Sequence, residues 1–293
     1  MFDFRYHVAS LAAVFFALVI GILVGVALAS HGLGNTERKR LEEELSNAQS
    51  DVTQWKNKAQ ENSAEASFAG AAYKAVMANR LQGKRVAVIF VGPLDRTIRK
   101  AVSDTIADSG AETLRTRAIS VPIDAKAIAG TLAGRPALAS FSSGPKHFES
   151  LGGELAGEFV LGGDTPVWDA LENQLVEYRS GGGRRPADAV VVVRTATPQT
   201  KPASAQLVTG LFRTLANSPV PAVGVELRGT YPSAVPTYKR LGLPSVDDLD
   251  LGIGRVALAV MLAHASDGHY GLQQTDDALL PDIPPVQATT TGG

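Results

Sequence analysis

The sequence predicts a transmembrane helix at the N-terminus, then a long coiled-coil helix, then an α/β three-layer domain with a mainly parallel, Rossmann-like sheet. Three patterns carry this reading: an uncharged run over Val8–Ala29, an apolar repeat of 3.5 residues from Leu41, and valine-rich runs alternating with helical stretches from Lys84. The boundaries are 1–30 for the anchor, 36–82 for the stalk and 84–272 for the α/β domain. The segment 273–293 is rich in proline and threonine and is expected to be disordered.

The anchor comes first. Between Val8 and Ala29 only Ser10 is polar, and about twenty apolar residues in a helix match the roughly 30 Å hydrocarbon core of a bilayer. A cleaved signal peptide is the competing reading, and Ala27-Leu28-Ala29 resembles a cleavage site. The run exceeds the usual signal core of about 7–15 residues, which favours an uncleaved anchor. Small residues recur every fourth position at Ala9, Ala13, Ala17, Gly21, Gly25 and Ala29. In lipid, helices associate through close backbone approach along such a stripe, so Ala17, Gly21 and Gly25 are candidates for a dimer seam. Asp3 and His7, four apart ahead of the run, could share a metal ligand on a helix; the aromatics Phe2, Phe4 and Tyr6 around them equally suit a membrane interface. Arg5 precedes the span, whereas Arg38, Lys39 and Arg40 follow it. Charge alone therefore leans only weakly toward a cytoplasmic C-terminal part.

The stalk follows a break at Ser30–Asn35. Leu41, Leu45, Ala48, Val52, Trp55, Ala59 and Asn62 alternate spacings of four and three, and the pattern continues to Tyr73 and Val76. A sustained repeat of this period keeps one seam toward a partner helix and implies a left-handed supercoil. Leu41, Leu45, Val52, Trp55 and Asn62 are the oligomerisation candidates, in line with the stripe of the anchor. Asn62 either sets register or weakens the core. Packing of the helix on its own globular domain is the alternative to a homodimer.

The globular part has the strands of a buried parallel sheet. Lys84–Gly92, Ala187–Thr195 and Pro221–Leu227 are valine-rich runs, and Ala111–Ser120 is a further strand. Runs apolar on both faces, separated by helical stretches, indicate a sheet covered on two sides. The region from Arg135 to Gly183 reads as a helical, glycine-rich insertion.

Chemistry is sparse. The chain has 293 residues and a net charge of −1, with Arg38-Lys39-Arg40 set beside Glu42-Glu43-Glu44, so no nucleic-acid partner is expected. With no cysteine, thiolate metal sites, disulfides and a thiol nucleophile are excluded. Gly252-Ile253-Gly254-Arg255-Val256-Ala257 fits G-x-G-x-x-A, but Asp247, Asp248 and Asp250 ahead of it would repel a pyrophosphate. Asp250 is instead expected to cap a helix that Gly252 and Gly254 let pack closely. Met261, His264 and His269 form the other metal candidate, although soft Cu(I) prefers thiolate and thioether ligands, which are nearly absent. No catalytic constellation is present, so a non-enzymatic protein without an intrinsic cofactor is expected.

Two stretches carry a family resemblance. The opening F-R-Y-H-V-A-S-L-A-A-V-F-F-A-L-V-I-G-I-L-V-G and the C-terminal S-V-D-D-L-D-L-G-I-G-R-V-A-L-A-V-M-L-A-H-A-S-D-G-H-Y-G resemble the actinobacterial copper-transport protein family, the MctB-like proteins. The resemblance implies a cell-envelope protein with its C-terminal domain outside the cytoplasm, linked to low intracellular copper. Copper is thus the one metal the resemblance brings in, although the near-absence of soft ligands counts against a direct copper carrier. The alternative it implies is a coiled-coil envelope scaffold that binds or activates a cell-wall hydrolase or division partner. The family label also carries the idea of an outer-membrane channel, whereas the sequence offers one apolar helix and no series of roughly ten-residue alternating segments.

Overall fold

The computed structural model describes residues 4–28, 34–182, 184–197, 201–273 and 276–286, with the side chains of 4–9 and 34–36 left out. The chain divides into two compact units, Met1–Ala69 and Gly70–Gly293.

The first unit is helical. Helix α1 spans Phe4–Leu28. Within it, Ser10–Leu28 has a mean hydropathy of 2.9 and is long and apolar enough to cross a membrane. A helix satisfies its own backbone hydrogen bonds, which is what a segment in hydrocarbon requires. Helix α2 spans Gly34–Met77, starting slightly before the stalk boundary read from the sequence. Arg38 and Arg40 reach Glu42 and Glu44 at 3.1 Å, one helical turn on. These pairs are solvated and worth a few tenths of a kcal/mol each.

The second unit is built on one sheet. Its strands are β1 (Arg85–Val91), β2 (Glu112–Ile119), β3 (Val176–Gly181), β4 (Ala189–Arg194), β5 (Ala222–Val225), β6 (Ser245–Val246) and β7 (His269–Tyr270). Among the described residues they form a seven-stranded sheet in the order β3-β2-β1-β4-β5-β6-β7. Neighbours are parallel except β2 and β3, which are antiparallel. The helices are α3 (Arg96–Asp108), α4 (Ala125–Ala133), α5 (His147–Leu161), α6 (Pro166–Leu175), α7 (Pro202–Ala216), α8 (Val235–Leu241) and α9 (Gly252–His264), with a short 3-10 helix at Pro136–Phe141.

Strand β1 explains why valine runs occur here. Ala87, Ile89 and Val91 enter one apolar cluster with Phe159, Trp168 and Leu211. Val86, Val88 and Phe90 enter another with Ile98, Val102, Leu258 and Met261. Successive side chains point to opposite faces, so a strand packed on both must be apolar throughout. Helix α3 starts at Asp95, whose carboxylate accepts hydrogen bonds from the Thr97 and Ile98 amides. Helices α5 and α7 approach so closely that a side chain at Gly210 would strike the Glu149 carbonyl, and one at Gly152 the Leu207 carbonyl.

Three features bear on the sequence reading. The Arg135–Gly183 region ends in β3, whose residues alternate between partial burial and exposure. A half-polar edge strand lacks the apolar run that marked the central strands. Within the second unit, Tyr73, Val76 and Met77 at the end of α2 pack against Val256, Ala259 and Val260 of α9, so the last seam positions are taken up inside the chain. The Tyr73 hydroxyl also donates to Asp108 at 2.6 Å. Finally, of the segment expected to be disordered, residues 276–286 are placed: Leu280 packs on the core, and Arg80 donates to the Pro284 carbonyl.

Candidate functional site: a crevice at the carboxyl ends of the strands

The sheet order dictates where a crevice opens. From β1 the chain crosses to β2 on one side, and the next parallel strand, β4, lies on the other side of β1. The connections leave β1 and β4 in opposite directions, and open α/β sheets have their clefts at such a point. Two cavities lie there. One, of about 430 Å³, is lined by the ends of β1, β4 and β5, including Pro93, Arg194, Glu226 and Tyr231. The other, of about 400 Å³, lies between the end of β4 and helices α7 and α8, and also includes Arg194.

Arg194 therefore borders both cavities, at the point where the valine run of β4 ends. It is 8% exposed. Its guanidinium donates to Thr237 Oγ1 at 3.0 Å and to the Ser233 carbonyl at 2.8 Å. Nε is buried without a hydrogen-bond partner among the described residues. Glu226, at the corresponding end of β5, is 1% exposed. Its carboxylate accepts from Ser233 Oγ and Gln273 Nε2 at 2.7 Å and from the Ala234 amide at 2.6 Å. Burial nonetheless pushes its pKa above the usual carboxylate range. A larger groove of about 550 Å³ lies beside α3 and β3, but its cations are exposed: Arg99 sits 6.0 Å over the Tyr178 ring and Lys100 pairs with Asp104.

Beside the crevice, the C-terminal stretch that carries the family resemblance folds onto itself. Asp247 and Asp248 follow β6. Asp247 accepts from the Leu272 and Gln273 amides at 3.0 and 3.1 Å. A side chain at Gly271 would collide with the Asp247 carboxylate, and one at Gly254 with Asp248. The glycines of G-I-G-R-V and G-H-Y-G are thus what admit the two aspartates. Asp248 is 0% exposed, and neither of its carboxylate oxygens has a hydrogen-bond partner among the described residues. Burial, with the nearby charge of Asp247, pushes its pKa to about 6. Asp276, which shares a hydrogen bond with Asp247, is raised to about 6 by burial and then by that charge.

The residues singled out from the sequence fall in different surroundings. Met261 is fully buried in the apolar core. His264 is exposed at the end of α9. His269 is buried, with Nδ1 2.9 Å from Ser245 Oγ, and burial lowers its pKa. Among the described residues no group of three His, Asp or Glu side chains is arranged to hold a metal ion. Asp3 and the side chain of His7 lie outside the described residues. Asp250 does not cap α9: its carboxylate accepts from the Arg228 amide at 2.8 Å, and Leu251 occupies the cap position. The helix start at G-x-G-x-x-A faces Asp248 and Tyr73. Ala17, Gly21, Gly25 and Asn62 are exposed, as are Leu41, Leu45, Val52 and Trp55 at 51–72%. Arg194, Glu226 and Tyr231 were missed; for Arg194 and Glu226 the signal available was a charged residue closing the apolar run of β4 or β5, at the strand end where open sheets bind ligands.

No curated protein matches this chain. A family model matches residues 1–281 of the chain, a range that takes in both motif-bearing stretches. On that match the chain belongs to the family described as copper transport outer membrane protein, MctB.

Proposed function

We propose that this is a non-enzymatic, single-pass cell-envelope protein that contributes to copper export or homeostasis. In this reading α1 anchors the chain as a transmembrane helix. The α/β three-layer, Rossmann-like domain lies outside the cytoplasm, and two chains pair through the stripe of α1 and the seam of α2. The family match over residues 1–281 carries the reading. The composition of α1 supports the anchor. Copper is cargo in this account rather than a resident cofactor, since the chain offers few soft ligands. A gene deletion tests it: under copper challenge, intracellular copper should rise above the parent strain, and unchanged copper would contradict the proposal.

A second reading is favoured by one observation. Leu41, Leu45, Val52 and Trp55 lie exposed along a single helical seam, the kind of surface by which helices recognise helices. In that reading the stalk is a coiled-coil scaffold that binds or activates a cell-wall hydrolase or division partner. Daughter cells of the deletion strain should then fail to separate without added copper. Normal separation would rule it out.

A further inference from the structure

The crevice at the strand ends offers a binding site independent of the copper reading. Arg194 is its central residue. A guanidinium removed from water needs an anion or a full set of acceptors, because burial of an uncompensated charge is costly. Here it meets a hydroxyl and carbonyl oxygens only, and Nε is left without a partner. Among the described residues no carboxylate forms an ion pair with it. Glu226 borders the same cavity, but three donors already hold its carboxylate.

The other obvious place for an anion is closed. The N-terminus of α3 faces this crevice, yet Asp95 occupies its amides. An incoming anion is therefore directed to Arg194, not to the helix end. The rest of the lining suits hydroxyl groups and a ring. Thr195 and Thr230 donate their own hydroxyl protons to the Pro93 and Leu227 carbonyls, at 2.6 and 2.7 Å, which leaves their oxygens as acceptors. Tyr231 stands at the rim with 95% of its surface exposed, an aromatic face on which the apolar side of a sugar ring can lie. A cavity of about 430 Å³ has room for one such ring.

We propose that this crevice binds a small hydroxylated anion, an acidic sugar or a sugar phosphate, with Arg194 holding the anionic group, Thr195 and Thr230 the hydroxyls, and Tyr231 the ring. The test is calorimetric titration of the full-length chain in detergent with glucuronate, glucose 6-phosphate and glucose. Saturable binding of at least one of the two anions is expected, with a dissociation constant below about 1 mM and glucose bound at least about tenfold more weakly. Binding of glucuronate alone assigns a carboxylate ligand, and binding of glucose 6-phosphate alone a phosphate; either supports the site. Tyr231→Ala, a surface change that should leave the melting temperature unaltered, should weaken binding roughly fivefold. Arg194→Lys should weaken it roughly tenfold, since the ammonium cannot present the guanidinium fork. If Arg194→Lys fails to fold, Tyr231→Ala decides. No saturable binding of either anion up to about 10 mM, equal binding of glucose, or binding unaffected by Tyr231→Ala would overturn the proposal.

Discussion

Asp248 follows β6 in the V-D-D stretch. It is fully buried beside Gly254, has no donor for either carboxylate oxygen among the described residues, and has its pKa pushed from 3.8 to about 6. A carboxyl raised in the folded chain favours folding in its neutral form. The stability this group contributes is thus complete below its unfolded value of 3.8 and is lost as pH rises through about 6. Asp248→Asn keeps the shape and removes the charge. It should stabilise the protein by on the order of 2 kcal/mol at about pH 7.5 and by little at about pH 4. Thermal unfolding at the two pH values checks this, and an equal effect at both would contradict it. The sequence displayed V-D-D and the glycines of G-I-G-R-V and G-H-Y-G as separate motifs. That each aspartate needs a specific glycine was not legible, because Asp247 and Gly271 meet only through the parallel pairing of β6 with β7. Arg194 was hidden for a similar reason: its partners Ser233 and Thr237 lie some forty residues further along the chain.

At the scale of elements, the two glycine-to-backbone contacts between α5 and α7 make that crossing intolerant of added volume. Gly210→Val should cost on the order of 3 kcal/mol by forcing the helices apart, seen as a lower melting temperature; an unchanged one would show that the crossing relaxes freely. The central strands were legible because burial on both faces demands continuous apolar runs, as β1 and β4 display. Strands β6 and β7 were not, since two residues each cannot express a period. The repeat in α2 was legible as well, and of its two readings, packing on the globular domain is the one that Tyr73 and Val76 follow. That leaves Leu41 to Asn62 as the seam available to another helix. Leu45→Asp with Trp55→Asp should reduce self-association of the full-length chain in detergent by about tenfold, as two buried charges would be placed in an apolar seam. Gly21→Leu with Gly25→Leu should weaken pairing in a membrane reporter, and unchanged association in both experiments would remove the dimer.

At the scale of the whole molecule, composition and function meet. A net charge of −1 and the absence of cysteine argue against nucleic-acid binding and against a thiolate copper carrier, while membership of the MctB family points to copper transport. The proposed function, an anchored protein that lowers cellular copper without holding the ion tightly itself, reconciles these facts. The most direct measurement is intracellular copper, by mass spectrometry, in a deletion strain supplied with either the full chain or a chain lacking residues 4–28. Copper should accumulate in the deletion strain and return to the parental level only with the full chain. Parental copper in the uncomplemented deletion strain would contradict the account.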